Sequence, residues 1–216
     1  YKGARIIEDV PHELIASMYE KPYTAPLPEV PLDEPPLPNE FFILRNGKKS
    51  ALSAFDSVET TLRRVDKTDA YGITPRNAEQ TFALDALLNK DVKLVTISGK
   101  AGTGKTLLAL AAALECRRQY LQIFIARPIV PLSNKDSGYL PGDIHSKLDP
   151  FMQPLYDNLG VIKNQFTESH KKHRLIQEFL DTEKLRIAPL SYIRGRSLVN
   201  IYFIVDEAQN LTPHEI

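Results

Sequence analysis

Gly99-Lys100-Ala101-Gly102-Thr103-Gly104-Lys105-Thr106 is the stretch of this sequence whose residue types and spacing most directly specify chemistry. It completes the pattern G-x-x-x-x-G-K-[ST]. Gly99, Gly102 and Gly104 let the backbone curl tightly enough for its N–H groups to converge on phosphate oxygens. A helix beginning near Lys105 would aim its positive end at the same oxygens. The ammonium of Lys105 suits the β- and γ-phosphates of a nucleotide, and the hydroxyl of Thr106 suits a Mg²⁺ ion. The nucleotide-binding set expected here is Gly99, Lys100, Ala101, Gly102, Thr103, Gly104, Lys105, Thr106 and Leu107.

A second group of reactive residues closes the apolar run Phe203-Ile204-Val205 with Asp206-Glu207. An acid at the tip of a buried strand is the Walker B arrangement, so Asp206 joins Thr106 as the predicted Mg²⁺ pair. Glu207, beside it, can polarise a water for in-line attack on a γ-phosphate, which makes Glu207 and Lys105 the predicted catalytic residues. A kinase acting on a small acceptor has no need of that base, so the pair argues for hydrolysis coupled to work. Two surface carboxylates closing a strand are the simpler alternative.

These residues need a scaffold that brings the loop and the acid pair together. Residues 77–89 read as a helix, Val92–Ser98 as a short strand, and Leu107–Cys116 as a strongly helical leucine and alanine run. Gln122–Ala126, Leu185–Ala188 and Tyr202–Val205 read as further buried strands, and residues 171–180 as an amphipathic helix. Strands alternating with helices predict an α/β layered fold with a largely parallel sheet. The segment Gly138–Leu159 holds glycines and prolines too densely for one regular helix.

Upstream of residue 70 the pattern differs. A short strand and a short helix are plausible in the first 20 residues, and seven prolines from Pro22 to Pro38 predict an extended segment, read as a stiff linker in preference to a docking peptide for another domain. Phe41–Leu44 reads as a strand entering an Asn46-Gly47 turn, with its return between Ser50 and Val65. Residues 1–65 are therefore expected as a small β-rich appendage and residues 70–216 as the nucleotide-binding domain.

Composition narrows the class. The 216 residues carry 27 basic and 27 acidic side chains, so no bulk charge draws the chain to nucleic acid or anionic membrane. No apolar run is long enough to span a bilayer, and a cytoplasmic location is expected. A single cysteine, Cys116, rules out an internal disulfide and a cysteine zinc cluster, and reads as a buried helix residue. The absence of an initiator methionine at Tyr1, and the stop at Ile216 so soon after Glu207, suggest a piece of a longer protein.

Gly99–Thr106, Arg127-Pro128, Gly138-Tyr139-Leu140-Pro141-Gly142-Asp143, Pro189–Arg196 and Asp206-Glu207-Ala208-Gln209-Asn210, taken in order, resemble the PhoH family. The resemblance covers about residues 70–216. It implies a RecA-like P-loop NTPase fold similar to the first motor domain of superfamily 1 helicases, with ATP and Mg²⁺ as cofactors. The segment 1–70 and the wording of the phosphate loop through Leu110 resemble the PIN–PhoH subtype, in which a ribonuclease domain precedes the ATPase. That subtype implies RNA remodelling or unwinding on single-stranded RNA and a hexameric ring. It also implies a γ-phosphate sensor and an arginine finger beyond Ile216, so the sheet would be incomplete and the fragment alone inactive.

The resemblance assigns further residues. Thr74–Gln80 is similar to the helicase Q motif, which makes Gln80, then Asn77, candidates for reading adenine; a helix N-terminal turn is the alternative. Arg127 resembles a nucleic-acid backbone contact, against an arginine paired with a carboxylate. Arg194 and Arg196 would hold RNA, complete a neighbouring subunit's ATP site, or form a loop salt bridge. Tyr139, Phe151 and Tyr156 are either base-stacking rings or packing, with packing favoured. His170-Lys171-Lys172-His173 reads as a solvated helix start. A nucleotide-dependent assembly switch without motor activity, and less favourably a P-loop kinase, remain the rival functions.

Overall fold

A computed structural model describes residues 3–128, 144–193 and 197–213, with side chains of 144–149 excepted. Two units divide them. The first takes residues up to Asp69 and then Thr74–Val95; the second takes Ala70–Ile73 and everything from Thr96 onward.

The first unit is a five-stranded sheet. Strand β1 (Ala4–Ile7) precedes helix α1 (His12–Ser17), β2 (Thr24–Pro26), β3 (Phe41–Asn46), β4 (Lys49–Asp56) and β5 (Thr61–Arg64), in the order β1-β3-β4-β5-β2. Only β1 and β3 run parallel. Alternation along β3 explains how both faces are covered. Phe42 and Leu44 enter a core with Leu14, Ile15, Met18 and Leu62, while Ile43 joins Ala54, Val65 and Phe82 on the other side. Phe82 comes from helix α2 (Ala78–Leu88), stacks on Phe41 with centroids 4.7 Å apart, and is joined there by an Arg63–Asp85 ion pair. The helix expected to open the nucleotide domain thus packs on the β-rich unit.

Two readings of this unit change. The proline-rich segment is extended but it is not a linker: Ala25 and Val30 are buried in the core, and β2 pairs at the sheet edge, where proline's missing donor costs nothing. The hairpin turn also sits one residue later than Asn46-Gly47. Asn46 still pairs with Lys49, so the two loop residues are Gly47 and Lys48. Gly47 carries the positive φ, 57°, as in a II′ turn, and the Asn46 amide donates instead to Val10 O at 2.8 Å.

Among its described residues the second unit holds an all-parallel sheet of three strands, β6 (Gln122–Arg127), β7 (Leu185–Pro189) and β8 (Ile201–Val205), in the order β7-β6-β8. Helix α3 (Lys105–Cys116) is apolar nearly all round and correspondingly buried at Leu108, Leu110–Leu114 and Cys116. Burial, then the neighbouring Glu115 carboxylate, pushes the Cys116 thiol above its ordinary pKa and keeps it protonated. Residues 70–73 seat here as well: Tyr71 N–H donates to Glu115 Oε2 at 2.9 Å, and its hydroxyl donates to Lys172 O at 2.9 Å. The fold is therefore α/β, with a parallel sheet in the unit that carries the phosphate loop and a β-rich unit before it.

Two further expectations give way. Val92–Ser98 forms no strand. The backbone is non-helical, yet among the described residues no strand pairs with it, and Leu94 is left 80% exposed. Helix α4 (Ile144–Lys163) runs through Pro150 and Pro154, where a break was expected. Both prolines sit on the exposed face, while Met152, Leu155, Leu159 and Ile162 bury the opposite stripe. Helix α5 (Lys171–Asp181) starts as read, with His170 Nδ1 accepting from Lys172 N–H at 3.1 Å.

Candidate functional site

The carboxyl ends of β6 and β8 and the first turn of α3 converge, which is where an open α/β sheet places its ligands. The phosphate loop reaches that point through backbone shapes that glycine alone adopts cheaply. Gly102 has φ 76°, and Gly104, the N-cap of α3, has φ 81°. Gly99 serves differently, by close approach: a Cβ there would lie 3.3 Å from Thr103 Oγ1. Thr103 Oγ1 donates to Lys100 O at 2.9 Å and pins the exposed tip of the loop, which includes Ala101. Lys105, Thr106 and Leu107 form the first turn of α3, whose N–H groups have no carbonyl upstream in the helix to bond.

Lys105 lies folded over the loop. Its Nζ donates to Gly99 O at 2.9 Å and to Lys100 O at 3.0 Å. These neutral carbonyls hold the ammonium among the loop's own oxygens, and phosphate oxygens there would offer a stronger, charge-assisted partner.

Thr106 joins the loop to the acid pair. Its hydroxyl donates to Asp206 Oδ1 at 2.7 Å, and Asp206 N–H donates to Ala126 O at 2.9 Å, locking the end of β8 to β6. Glu207 follows with a left-handed backbone, φ 53° and ψ 42°, which costs a residue bearing a Cβ about 1–2 kcal/mol. Strain of that kind gathers where a side chain must be aimed. The Glu207 side chain is 41% exposed, against 12% for Asp206. Gln209 Nε2 donates to Glu207 Oε2.

Arg127, the last residue of β6, faces both acids: Nη1 is 3.9 Å from Asp206 Oδ2 and Nη2 is 3.9 Å from Glu207 Oε1. The carboxylate pairing weighed from the sequence is thus present. Sequence reading missed Gln209 as a partner of Glu207, although its place two residues on was the signal available.

The structure does not gather every candidate in one unit. Asn77 and Gln80 lie in the first unit, where Asn77 Oδ1 caps α2 by accepting from Gln80 N–H at 2.9 Å. Gln80 Oε1 accepts from Arg76 N–H at 2.7 Å, so an adenine would have to displace that bond to use the same oxygen. Arg194, Arg196 and Tyr139 lie outside the described residues. Phe151 and Tyr156 are on the outer side of α4, 36% and 42% exposed. Among the described residues no three His, Cys, Asp or Glu side chains cluster as a self-contained metal cage, and no helix is long and apolar enough to cross a membrane.

Comparison with known proteins adds a separate line. Residues 72–216 match the family model described as PhoH-like protein. The chain is 45% identical over 187 residues to Protein PhoH2 of Bacillus subtilis, covering 83% of this chain and 41% of that protein. It is 38% identical over 172 residues to Protein PhoH2 of Mycolicibacterium smegmatis (78% and 37%) and 34% identical over 165 residues to Protein PhoH of Escherichia coli K12 (76% and 44%). The chain therefore spans well under half the length of these relatives.

Proposed function

The chain belongs to the PhoH-like protein family, and from that premise we propose that it binds ATP with Mg²⁺ and hydrolyses it to drive remodelling of single-stranded RNA. The observation that carries the reading is the 2.7 Å bond from Thr106 to Asp206, which brings together two oxygen ligands drawn from the phosphate loop and the strand tip. Mg²⁺ commonly takes one or two protein ligands and completes its shell with phosphates and water. A Thr–Asp pair without a wider carboxylate cage suits that habit.

Bound Mg–ATP would supply the scissile anhydride and the cation that neutralises its charge. The chain's own residues do the rest. Lys105 exchanges the carbonyls of Gly99 and Lys100 for phosphate oxygens, and the N–H groups of Lys105, Thr106 and Leu107 add the helix's positive end. Glu207 accepts a proton from the attacking water, its carboxylate oriented by Gln209. Gln80 and Asn77 are proposed at the adenine, and Arg194 and Arg196 at RNA or a neighbouring subunit. The full protein would work in the cytoplasm as a homo-oligomeric ring, with ribonuclease activity in a separate domain.

The test is ATP turnover by the full-length protein with and without single-stranded RNA, at low and moderate salt. The expected result is stimulation that fades as salt rises, because phosphate contacts release counterions. Turnover indifferent to RNA would overturn the coupling and favour a nucleotide-dependent assembly switch. Turnover unaffected by Glu207→Gln would overturn the catalytic assignment itself.

A further inference from the structure

Arg127 holds three groups at once. Besides its two 3.9 Å approaches to Asp206 and Glu207, Nη1 donates to the backbone carbonyl of Phe151 in α4 at 3.3 Å. Separations of 3.9 Å are ion pairs rather than hydrogen bonds, so the grip is electrostatic and tolerates small movements. The Arg127 side chain is 23% exposed, which leaves the attraction only partly screened by water. A planar cation between two carboxylates offsets their repulsion and fixes their relative aim. Its third contact belongs to a different element, one that contributes no side chain to the acid pair.

We propose that Arg127 is a positioning residue that aims Glu207 and Asp206 and ties that aim to helix α4. Movement of α4 at Phe151 then changes the direction of the Glu207 carboxylate without touching the phosphate loop. This rests on the reading of Glu207 as the base. It assigns Arg127 an inward task, in place of the nucleic-acid contact expected from sequence. Glu207 is held on both oxygens, by Arg127 at Oε1 and by Gln209 at Oε2, so loss of Arg127 leaves a half-held base rather than an absent one.

These 216 residues hold no tryptophan, so Phe151→Trp, with any tryptophan elsewhere in the full-length protein changed to phenylalanine, places a lone indole at the α4 contact. In full-length protein without nucleotide, adding Glu207→Gln is expected to shift its emission, and the shift is expected to vanish when Arg127→Ala is already present. In steady state without RNA, Arg127→Ala is expected to lower kcat by about 10²-fold, as misaiming a catalytic group does. KM for ATP should stay within about twofold, since the phosphate loop is untouched. Millimolar guanidinium is expected to restore part of the rate, which a merely structural defect would not permit.

An emission shift that persists without Arg127 would overturn the link to α4. Unchanged basal kcat with loss of RNA stimulation alone would overturn the positioning role and return Arg127 to RNA. The fluorescence cycle needs no turnover. If Glu207→Gln proves fully active, the base assignment falls while the cycle still scores Arg127.

Discussion

At the phosphate loop the side-chain bonds span 3, 5 and 6 residues: Thr103 to Lys100, Lys105 to Lys100, and Lys105 to Gly99. At the acid end, 100 residues separate Thr106 from Asp206, and Arg127 arrives from another strand. The loop is shaped by its own residues, chiefly two left-handed glycines, and needs the sheet only to anchor it. The acid end is assembled: a strand tip, a strained glutamate and partners from β6 and α3 must coincide. Binding and hydrolysis should accordingly respond to different perturbations. The loop should tolerate change elsewhere in the molecule, and the acid end should not.

Glu207→Gln is the sharpest test of that separation. It removes the proposed proton acceptor while keeping size and hydrogen bonding, so turnover should fall by about 10²- to 10⁴-fold. Equilibrium binding of ATP, measured by calorimetry, should hold within about threefold, a difference of ~0.6 kcal/mol. If ATP binding is lost with turnover, the two halves are one unit and the comparison breaks.

Lys105→Ala probes the other half. Losing a charge-assisted partner for phosphate should weaken ATP binding by roughly 10- to 100-fold. The melting temperature without nucleotide should barely move, because the bonds that Lys105 makes are to exposed carbonyls that water can satisfy. A large fall in melting temperature would mean that the ammonium is structural. Gly104→Ala acts on backbone instead. Its φ of 81° should cost about 1–2 kcal/mol in the folded state, read as a drop of about 2–8 °C in melting temperature. Affinity for ATP should fall with it, since Gly104 caps the helix proposed to face the phosphates.

The same contrast explains what the sequence disclosed. Gly99–Thr106, α3, β6, β7 and the acid at the end of β8 are read from residues adjacent in the chain, and buried parallel strands announce themselves as apolar runs. Val92–Ser98 has the same apolar look, but a strand exists only where a neighbour completes its ladder, and periodicity carries no information about neighbours. In α4 the prolines were visible and their exposure was not; burial of Met152 and Leu155 on the opposite face outweighs them. The left-handed φ of Glu207 was hidden for a related reason, since residue type signals such a backbone only at glycine or asparagine. The grip of Arg127 on Glu207 depends on β6 and β8 lying side by side with Ala126 opposite Val205, a register no local pattern states.

Asn77 offers the smallest and most discriminating experiment, because one side chain has two readings. As the N-cap of α2, Asn77 should lose about 1 kcal/mol of stability when changed to alanine, only a few tenths when changed to glycine, and almost nothing when changed to aspartate. If the cap is the whole of its role, those variants leave the preference for ATP over GTP unchanged, because the acceptor of the cap is engaged by Gln80 N–H. A residue that reads adenine gives a different ranking. There aspartate would be the worst substitute: all three lose the amide N–H, but only an acceptor-only carboxylate also sets its charge against the lone pair of a base nitrogen. Thermal melts and nucleotide competition on the three variants separate the cases by order alone. A ranking in which aspartate fails would move Asn77 from a helix cap to a reader of the base.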